Sequence, residues 1–482
     1  MRAEETRTVR LAARAARGSE SELQQRLAAA RTHIRVDAAT PGALACAEVL
    51  ISTMRRGPGQ VSVDPAGLTS AQLQRLQRSA AALAPTRPLL LGASPRGATR
   101  IAIGHTTGEI VIVPDAHGVR LSRGQSPVQQ RAPSMLGVVF AASVAAGEAF
   151  KDAAQISDEH CVRHQQLVFC PVTLAGDLGT APTMSPSWEP IVTLAGLGAI
   201  GTAHALILGG LAERGGVVLI DRQRYAAENL GTYSLGDTLD VAARIQKVKL
   251  AERALPGWRH HPHEGELSEA VHAVDTQRLP WTPVALAGLD NHDARRDAQR
   301  LQADRLLDAA TGDTAVGLRD THATGPCLAC MLPRAGGPSP TDALTKLGIP
   351  LELARAPGDA VVDDALIARA ASEDARLLLS AQRGTPICGL LRAADLTELN
   401  SGDYMPAVPF VSQQAACLAV GRLVAITAGI DEGLPNFFQY DTLIGPHAAI
   451  RQRRRADPAC ACQQRAETIT QVRQERRQGL AA

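Results

Sequence analysis

Charge of either sign is nearly balanced in this sequence, whose 482 residues carry a formal net charge of only +2. Without a concentrated basic face, nucleic acid is not expected as the main partner, because phosphate backbones are bound by clustered cations. The local exception, Arg451-Gln-Arg-Arg-Arg455, reads as a solvated strand end or a dock for an acidic protein surface. Long apolar runs are missing as well. The best candidates for a bilayer span are interrupted by Glu148 and Arg422, so no membrane partner is predicted. The opening Met1-Arg-Ala-Glu-Glu-Thr-Arg7 is charged, with no apolar core behind it; no secretory leader is predicted and the expected compartment is the cytoplasm. Aromatic residues make up 3% of the chain while alanine is abundant, a composition suited to packed α/β layers. No internal repeat or low-complexity tract is visible.

The length suffices for about three domains at roughly 100–200 residues each, every one large enough for its own core. In a reducing compartment, the nine cysteines point to metal or thiol chemistry and not to a disulfide framework.

The most informative stretch is Ile191-Val-Thr-Leu-Ala-Gly196-Leu-Gly198-Ala-Ile-Gly201, an apolar strand running into a Gly-x-Gly-x-x-Gly turn, followed by a second strand, Val217-Val-Leu-Ile-Asp221. The glycines allow a tight turn, close backbone approach to phosphate and close helix packing, and the start of the next helix offers free N–H groups to an anion. Asp221, ending the second strand, is placed to accept hydrogen bonds from ribose hydroxyls. The fingerprint alone fits a dinucleotide dehydrogenase, an enzyme that binds ATP on a related sheet, or a turn with no ligand.

Further along come Glu228-Asn229-Leu230-Gly231-Thr232, then Lys247-Val-Lys249 on a helix, then an apolar strand ending in Asp290-Asn291-x-x-x-Arg295. This order resembles the superfamily of adenylating enzymes that activate ubiquitin and its sulfur-carrier relatives, and most of all the compact bacterial activators of ubiquitin-like proteins. The resemblance implies an α/β fold: a Rossmann-like adenylation domain on a mixed, largely parallel sheet, preceded by a degenerate, inactive adenylation-like α/β domain, with a small cysteine-bearing insert. It implies that Gly196, Gly198 and Gly201 shape the nucleotide turn, that Asp221 holds the ribose, that Asn229 and Lys249 contact the phosphates, with Lys247 as a second candidate, and that Asp290, with Asn291 beside it, positions Mg·ATP. The family usually carries an arginine soon after Asn-Leu. Thr232 stands there instead, and Arg222, Arg224, Arg7 or Arg10 are the candidates to replace it. Read without the resemblance, the lysines are solvated helix residues, Asn229 caps a turn and Asp290-Asn291 ends a strand and caps a helix.

Paired cysteines Cys327-x-x-Cys330 and Cys460-x-Cys462, more than a hundred residues apart, could close a tetrahedral structural Zn2+ site tying the nucleotide domain to the tail; family members carry paired cysteines in such places. Buried free thiols are the alternative. Cys46 and Cys417 sit in apolar helical runs and read as small buried hydrophobes, and nothing marks Cys161 or Cys170 as reactive. Cys388 differs, standing in the turn-forming Arg383-Gly-Thr-Pro-Ile-Cys388-Gly. In the ubiquitin-activating branch, a cysteine so placed takes the acyl group from the adenylate as a thioester, with Arg383 or Arg392 available to favour the thiolate. The cluster His260, His261 and His263 reads as a polar surface strand in preference to a metal site.

The expected organisation is an inactive adenylation-like domain over 1–178, an active one built from 189–331 and 401–482, and a catalytic-cysteine insert over 332–400. The linker falls at Gly176 to Trp188. In the first part, strands are expected at His33 to Asp37, Gln60 to Asp64, Pro88 to Leu91, Arg100 to Ile103 and Glu109 to Val113. Helices are expected from Ala43 to Met54, Ser70 to about Ala84 and about Ser134 to Ala153. The implied function uses ATP and Mg2+ to adenylate the C-terminal glycine of a ubiquitin-like protein, which then passes through a thioester on Cys388 to a conjugating enzyme. Two rivals remain: a sulfur-carrier adenylyltransferase with no thioester step, and a catalytically inactive scaffold. A homodimer is possible, although an internal inactive half removes the need for one.

Overall fold

In the computed structural model of the chain, residues 5–185, 187–332, 348, 362–381, 383 and 408–481 are described. The chain divides into two compact units, one made of Met1–Asp221, Tyr225–Met331 and Pro406–Ala482, the other of Arg222–Arg224 and Leu332–Met405.

The first unit is built on two mixed parallel and antiparallel sheets with alternating helices, an α/β fold. Strands β1 (Arg31–Val36), β2 (Gln60–Val63), β3 (Leu90–Leu91), β4 (Thr99–Ile103), β5 (Ile110–Asp115), β6 (Gly118–Ser122) and β7 (Gln166–Phe169) form a sheet ordered β3-β2-β1-β4-β5-β6-β7. A second sheet contains β8 (Ile191–Ala195), β9 (Gly216–Ile220), β10 (Arg259–His263), β11 (Val284–Ala287), β12 (Arg305–Gly312), β13 (Ala315–His322), β14 (Phe437–Asp441) and β15 (Ile450–Gln452), ordered β10-β9-β8-β11-β12-β13-β14-β15. Apart from the eighth strand, β15, the order repeats. The sense repeats too: parallel pairing runs through β5 in one and β12 in the other, and antiparallel pairing follows. The innermost parallel strands are covered on both faces and so read as continuous apolar runs, as in Val217-Val-Leu-Ile.

Four helices close the space between the sheets. Ala43–Arg55 and Met135–Ala153 come from the first half, Ala199–Leu211 and Pro409–Thr427 from the second, and they pack on one another across the seam. The last is long and apolar enough to cross a membrane, but 89% of its apolar window is buried inside the protein. Its Arg422 is held by Asp320 at 3.3 Å. Close approach at the seam depends on small residues: an added Cβ at Gly210 would sit 2.6 Å from Met135 Cγ. Phe150 and Phe410 pack ring to ring at 5.3 Å, and Gln413 bridges Thr53 Oγ1 (2.9 Å) and Ser234 Oγ (3.4 Å).

In the second unit, the helices Asp364–Ala368 and Glu373–Ala381 are described. Asp363 caps the first by accepting from Leu366 N (2.8 Å), and Ser372 Oγ accepts from Ala375 N (3.1 Å) at the start of the second.

Candidate active site and metal centre

Strands β8 and β11 are parallel neighbours, and the chain leaves β8 toward β9 on one side and β11 toward β12 on the other. This is the switch point of the sheet, where a crevice opens beyond the carboxyl ends of the strands. The Gly196–Gly201 turn lies at the end of β8. Gly196 has φ +82°, and an added Cβ at Gly201 would lie 2.0 Å from Gly196 O, so the turn admits no side chain at either position. Gly198 begins the Ala199–Leu211 helix with no side-chain cap, leaving the first-turn amides for an anion. Beside the turn lies the segment after β11: Leu289 Cδ2 and Gly288 O are 2.8 and 3.1 Å from the Cβ position of Gly196. Asp290 follows directly and is exposed.

Asp221 reaches the same turn, its Oδ2 accepting from Leu197 N at 2.8 Å. Asn229 is buried and its Oδ1 accepts from Ala226 N at 3.0 Å, closing a short helix. Asn291 caps the helix His292–Ala298 by accepting from Ala294 N (2.7 Å) and donates to Asp290 Oδ1 (3.1 Å). Arg295 donates to Leu289 O (2.9 Å) and lies 3.6 Å from buried Asp308, so it braces the strand end from below.

The two lysines of the Lys247–Ala254 helix part company. Lys249 has a side chain 47% exposed and pairs with Glu252 at 2.9 Å, which raises its pKa. Lys247 is buried, its ammonium 5.0 Å from the centre of the Tyr233 ring. Tyr233 in turn places its hydroxyl 3.8 Å from the Cβ position of Gly198. Lys247 is thus the lysine packed on the tyrosine that borders the glycine turn.

Among the four arginine candidates, Arg7 reaches the Thr232 position, with its NH1 3.4 Å from Thr232 Oγ1. It comes from the first helix of the chain, Thr6–Ala16, across the seam. Arg10 lies 3.5 Å from Glu20, and Arg222 and Arg224 belong to the second unit. A second first-half arginine, Arg56, not singled out by sequence, donates to Leu230 O (2.7 Å) and Gly236 O (3.0 Å). It fixes the loop that carries Thr232 and Tyr233. The sequence signal for it was absent, because an arginine buried by another domain has no local pattern.

The corresponding turn of the first half, after β1, reads Asp37-Ala-Ala-Thr40-Pro41-Gly42. Asp37 accepts from Thr40 Oγ1 (2.6 Å) and Ala39 N (3.1 Å). The Thr40 hydrogen bond holds its carboxyl below the usual range. The turn therefore already holds an anion of its own.

Cys327, Cys330, Cys460 and Cys462 come together with all four sulfurs within 4.8 Å of one another. Three of the Sγ–Sγ distances are 3.8 Å (327–330), 3.6 Å (327–460) and 3.6 Å (330–462). A regular tetrahedron of thiolates around zinc at about 2.3 Å has edges of about 3.8 Å, so the donor set fits that ion. Asp457 N and Gln463 Nε2 each lie 3.5 Å from a cluster sulfur, Cys330 and Cys462 respectively, as donors that would support thiolates. Burial raises the pKa of Cys327 and Cys330, a penalty that a bound cation would offset. The cluster joins the end of β13 to the start of the Ala466–Ala481 helix, which is tied down by Arg473 to Ala323 O (3.1 Å) and Arg476 to Leu301 O (2.6 Å).

Cys46, Cys161, Cys170 and Cys417 are buried. The histidine cluster lies on β10, the edge strand of its sheet. Cys388 and Arg392 lie outside the described residues.

No protein-family model and no curated protein matches the chain. Solved structures do match. The microcin C7 biosynthetic enzyme MccB in complex with N-formylated MccA is 13% identical over 74% of this chain and 98% of that one, with a TM-score of 0.37. E. coli MccB with ATP is 12% identical over the same shares, 74% and 98%, at a TM-score of 0.36. E. coli MccB with MccA-N7isoASN is 14% identical over 57% and 67%, also at 0.36.

Proposed function

We propose that this protein is an ATP-dependent adenylyltransferase that activates the C-terminal glycine of a small ubiquitin-like protein. A carboxylate is a poor electrophile, so the substrate's carboxylate oxygen attacks the α-phosphorus of ATP, forming an acyl–phosphate bond while the bond to pyrophosphate breaks. Two anions must meet, and the site therefore needs fixed positive charge. The open amides after Gly198, the ammonium of Lys247 and the guanidinium of Arg7 supply it, and Asp221 takes the ribose. Magnesium at Asp290 would neutralise phosphate charge further. The supporting observation is the joining of Gly198, Tyr233, Lys247, Thr232 and Arg7 at one switch point, with Arg7 drawn from the other half.

Zinc on the four cysteines would be structural: a closed set of protein ligands leaves no open position for chemistry. In the full reading the acyl group then moves from the adenylate to the Cys388 sulfur, releasing AMP, and from there to a conjugating enzyme.

The test is ATP–pyrophosphate exchange with candidate small β-grasp proteins, read alongside gels run with and without reductant. Exchange that depends on the modifier's terminal glycine supports adenylation, and a reductant-sensitive adduct lost in Cys388→Ala supports the thioester. Exchange with no such adduct leaves an activator that stops at the adenylate. NADH bound in place of ATP overturns the assignment.

A further inference from the structure

Beyond carrying the ammonium of Lys247 on its ring, Tyr233 brings a hydroxyl to the glycine turn that the chemistry above leaves unused. A Cβ placed on Gly198 would meet, among the described residues outside its own helix, two atoms within 4 Å: Tyr233 Oη at 3.8 Å and Gly288 O at 3.9 Å. The space beside Gly198 is therefore open, with one hydroxyl and one carbonyl at its edge. The carbonyl can only accept a hydrogen bond, so the hydroxyl is the donor of the two. The rest of the tyrosine is buried, the residue being 2% exposed. Its neighbour's oxygen, Tyr225 Oη, is sealed from solvent, whereas Tyr233 Oη keeps accessible surface and makes no hydrogen bond among the described residues.

The packing around Tyr233 holds that hydroxyl in place before any ligand arrives. Lys247 Nζ lies 5.0 Å from the ring centre, and the Tyr225 ring packs against it at 5.6 Å with an interplanar angle of 57°. On the backbone, Tyr233 N donates to Asn229 O (3.0 Å). The next residue is tied to the turn itself: Ser234 N donates to Thr202 Oγ1 (3.2 Å), which donates to Gly198 O (2.9 Å). A donor fixed in this way loses little freedom on binding. We propose that Tyr233 is a phosphate-binding residue, its hydroxyl donating to a phosphate oxygen of the nucleotide that rests on the amides after Gly198. This deepens the ATP reading given above and rests on it. The tyrosine then has two separable roles, the ring holding Lys247 and the hydroxyl touching the substrate.

The experiment compares the full chain with Tyr233→Phe, which removes one oxygen and keeps the ring. Titration calorimetry with a non-hydrolysable ATP analogue should show a loss of at least about 10-fold, the lower end for a hydrogen bond to a charged acceptor. Adenosine, which has no phosphate, should bind within about twofold of the parent, and the melting temperature should hold. An independent measurement uses the parent chain with its four tyrosines labelled with 13C at Cζ. The Tyr233 resonance, identified by its loss in Tyr233→Phe or, should that variant not fold, by replacing the other three, should move on adding the ATP analogue and stay in place with adenosine. Equal affinity of variant and parent for the analogue, an equal loss for adenosine, or a Tyr233 resonance unmoved by the analogue overturns the assignment and leaves the nucleotide reading standing. A parent chain that binds no ATP analogue overturns both.

Discussion

Replacing Lys247 and Lys249 in turn by Met separates two side chains that sequence alone treats alike. Lys247 is 2% exposed and lies against Tyr233, and in the adenylation reading proposed above its ammonium would meet phosphate in a site that excludes much of the water. A hydrogen bond to a charged group in such a place is worth roughly 1.5–3 kcal/mol, which predicts that Lys247→Met weakens a non-hydrolysable ATP analogue by about 10–150-fold. Lys249 is half out in solvent and engaged with Glu252 at 2.9 Å. An exposed pair contributes on the order of 0–1 kcal/mol, so Lys249→Met should change affinity less than about 5-fold. Titration calorimetry gives both numbers, with thermal melting confirming that each variant is folded. The reasoning fails if Lys249→Met loses as much affinity as Lys247→Met, or if Lys247→Met stays within about twofold of the parent protein.

Arg7→Ala should lower pyrophosphate exchange by about 100-fold and Thr232→Arg in that background should restore part of it; unchanged exchange in Arg7→Ala removes the cross-seam arginine from the mechanism. The four-cysteine cluster should carry one zinc per chain by atomic emission, and Cys460→Ser should release it and lower the melting temperature, since such sites hold roughly 10–16 kcal/mol of apparent binding free energy; Cys46→Ser should leave the metal in place. His204, fully buried in the glycine-turn helix with neither ring nitrogen bonded among the described residues, has its pKa lowered to about 3 by burial. Between that value and about 6.5 the unfolded chain binds a proton that the folded one refuses, so stability is present above pH ~6.5 and is lost on acidification. The advantage of His204→Leu should therefore grow by about 1.4 kcal/mol between pH 7.5 and 5.5, and equal differences at the two pH values would refute the assignment.

The parts of the fold that could be read from sequence are those fixed by local chemistry. Ala43–Arg55, Ser70–Leu83 and Met135–Ala153 are helices where apolar spacing and an N-cap announce them, Thr69 and Ser134 capping the last two. β1, β2, β4 and β5 fall within a residue or two of their expected bounds. β6 carries no such local signal: Gly118-Val-Arg-Leu-Ser is short, opens on glycine and takes its strand character from pairing with β5 and β7. The same limit governs the site. Glycine turn, acidic strand end and lysine helix were legible in order, but which lysine turns inward depends on Tyr233. That Thr232 receives a guanidinium from residue 7 is a contact across 225 positions, a separation at which local pattern says nothing. The four-cysteine group, by contrast, was legible as two close pairs, and Cys327, Cys330, Cys460 and Cys462 do come together, because thiol pairs at short spacing are a local signal even when the pairs are distant.

One strand order used twice leaves the question of why the two clefts differ and why the first half persists. In the second half the turn after β8 carries three glycines, and the carboxylate that meets it, Asp221, comes from the end of β9 to Leu197 N; in the first, Asp37 turns its carboxylate into its own loop and meets the backbone and Thr40. A phosphate placed at that turn would sit beside the Asp37 carboxylate. The same half nonetheless provides Arg7 at Thr232 and Arg56 on the carbonyls of Leu230 and Gly236. It also covers the Pro409–Thr427 helix, whose residues from Pro409 to Ala425 are buried throughout. A helix apolar on all sides has no stable place without neighbours on all sides. The first half is therefore bound both into the core around that helix and into the loop that carries Thr232 and Tyr233, whatever its own turn does.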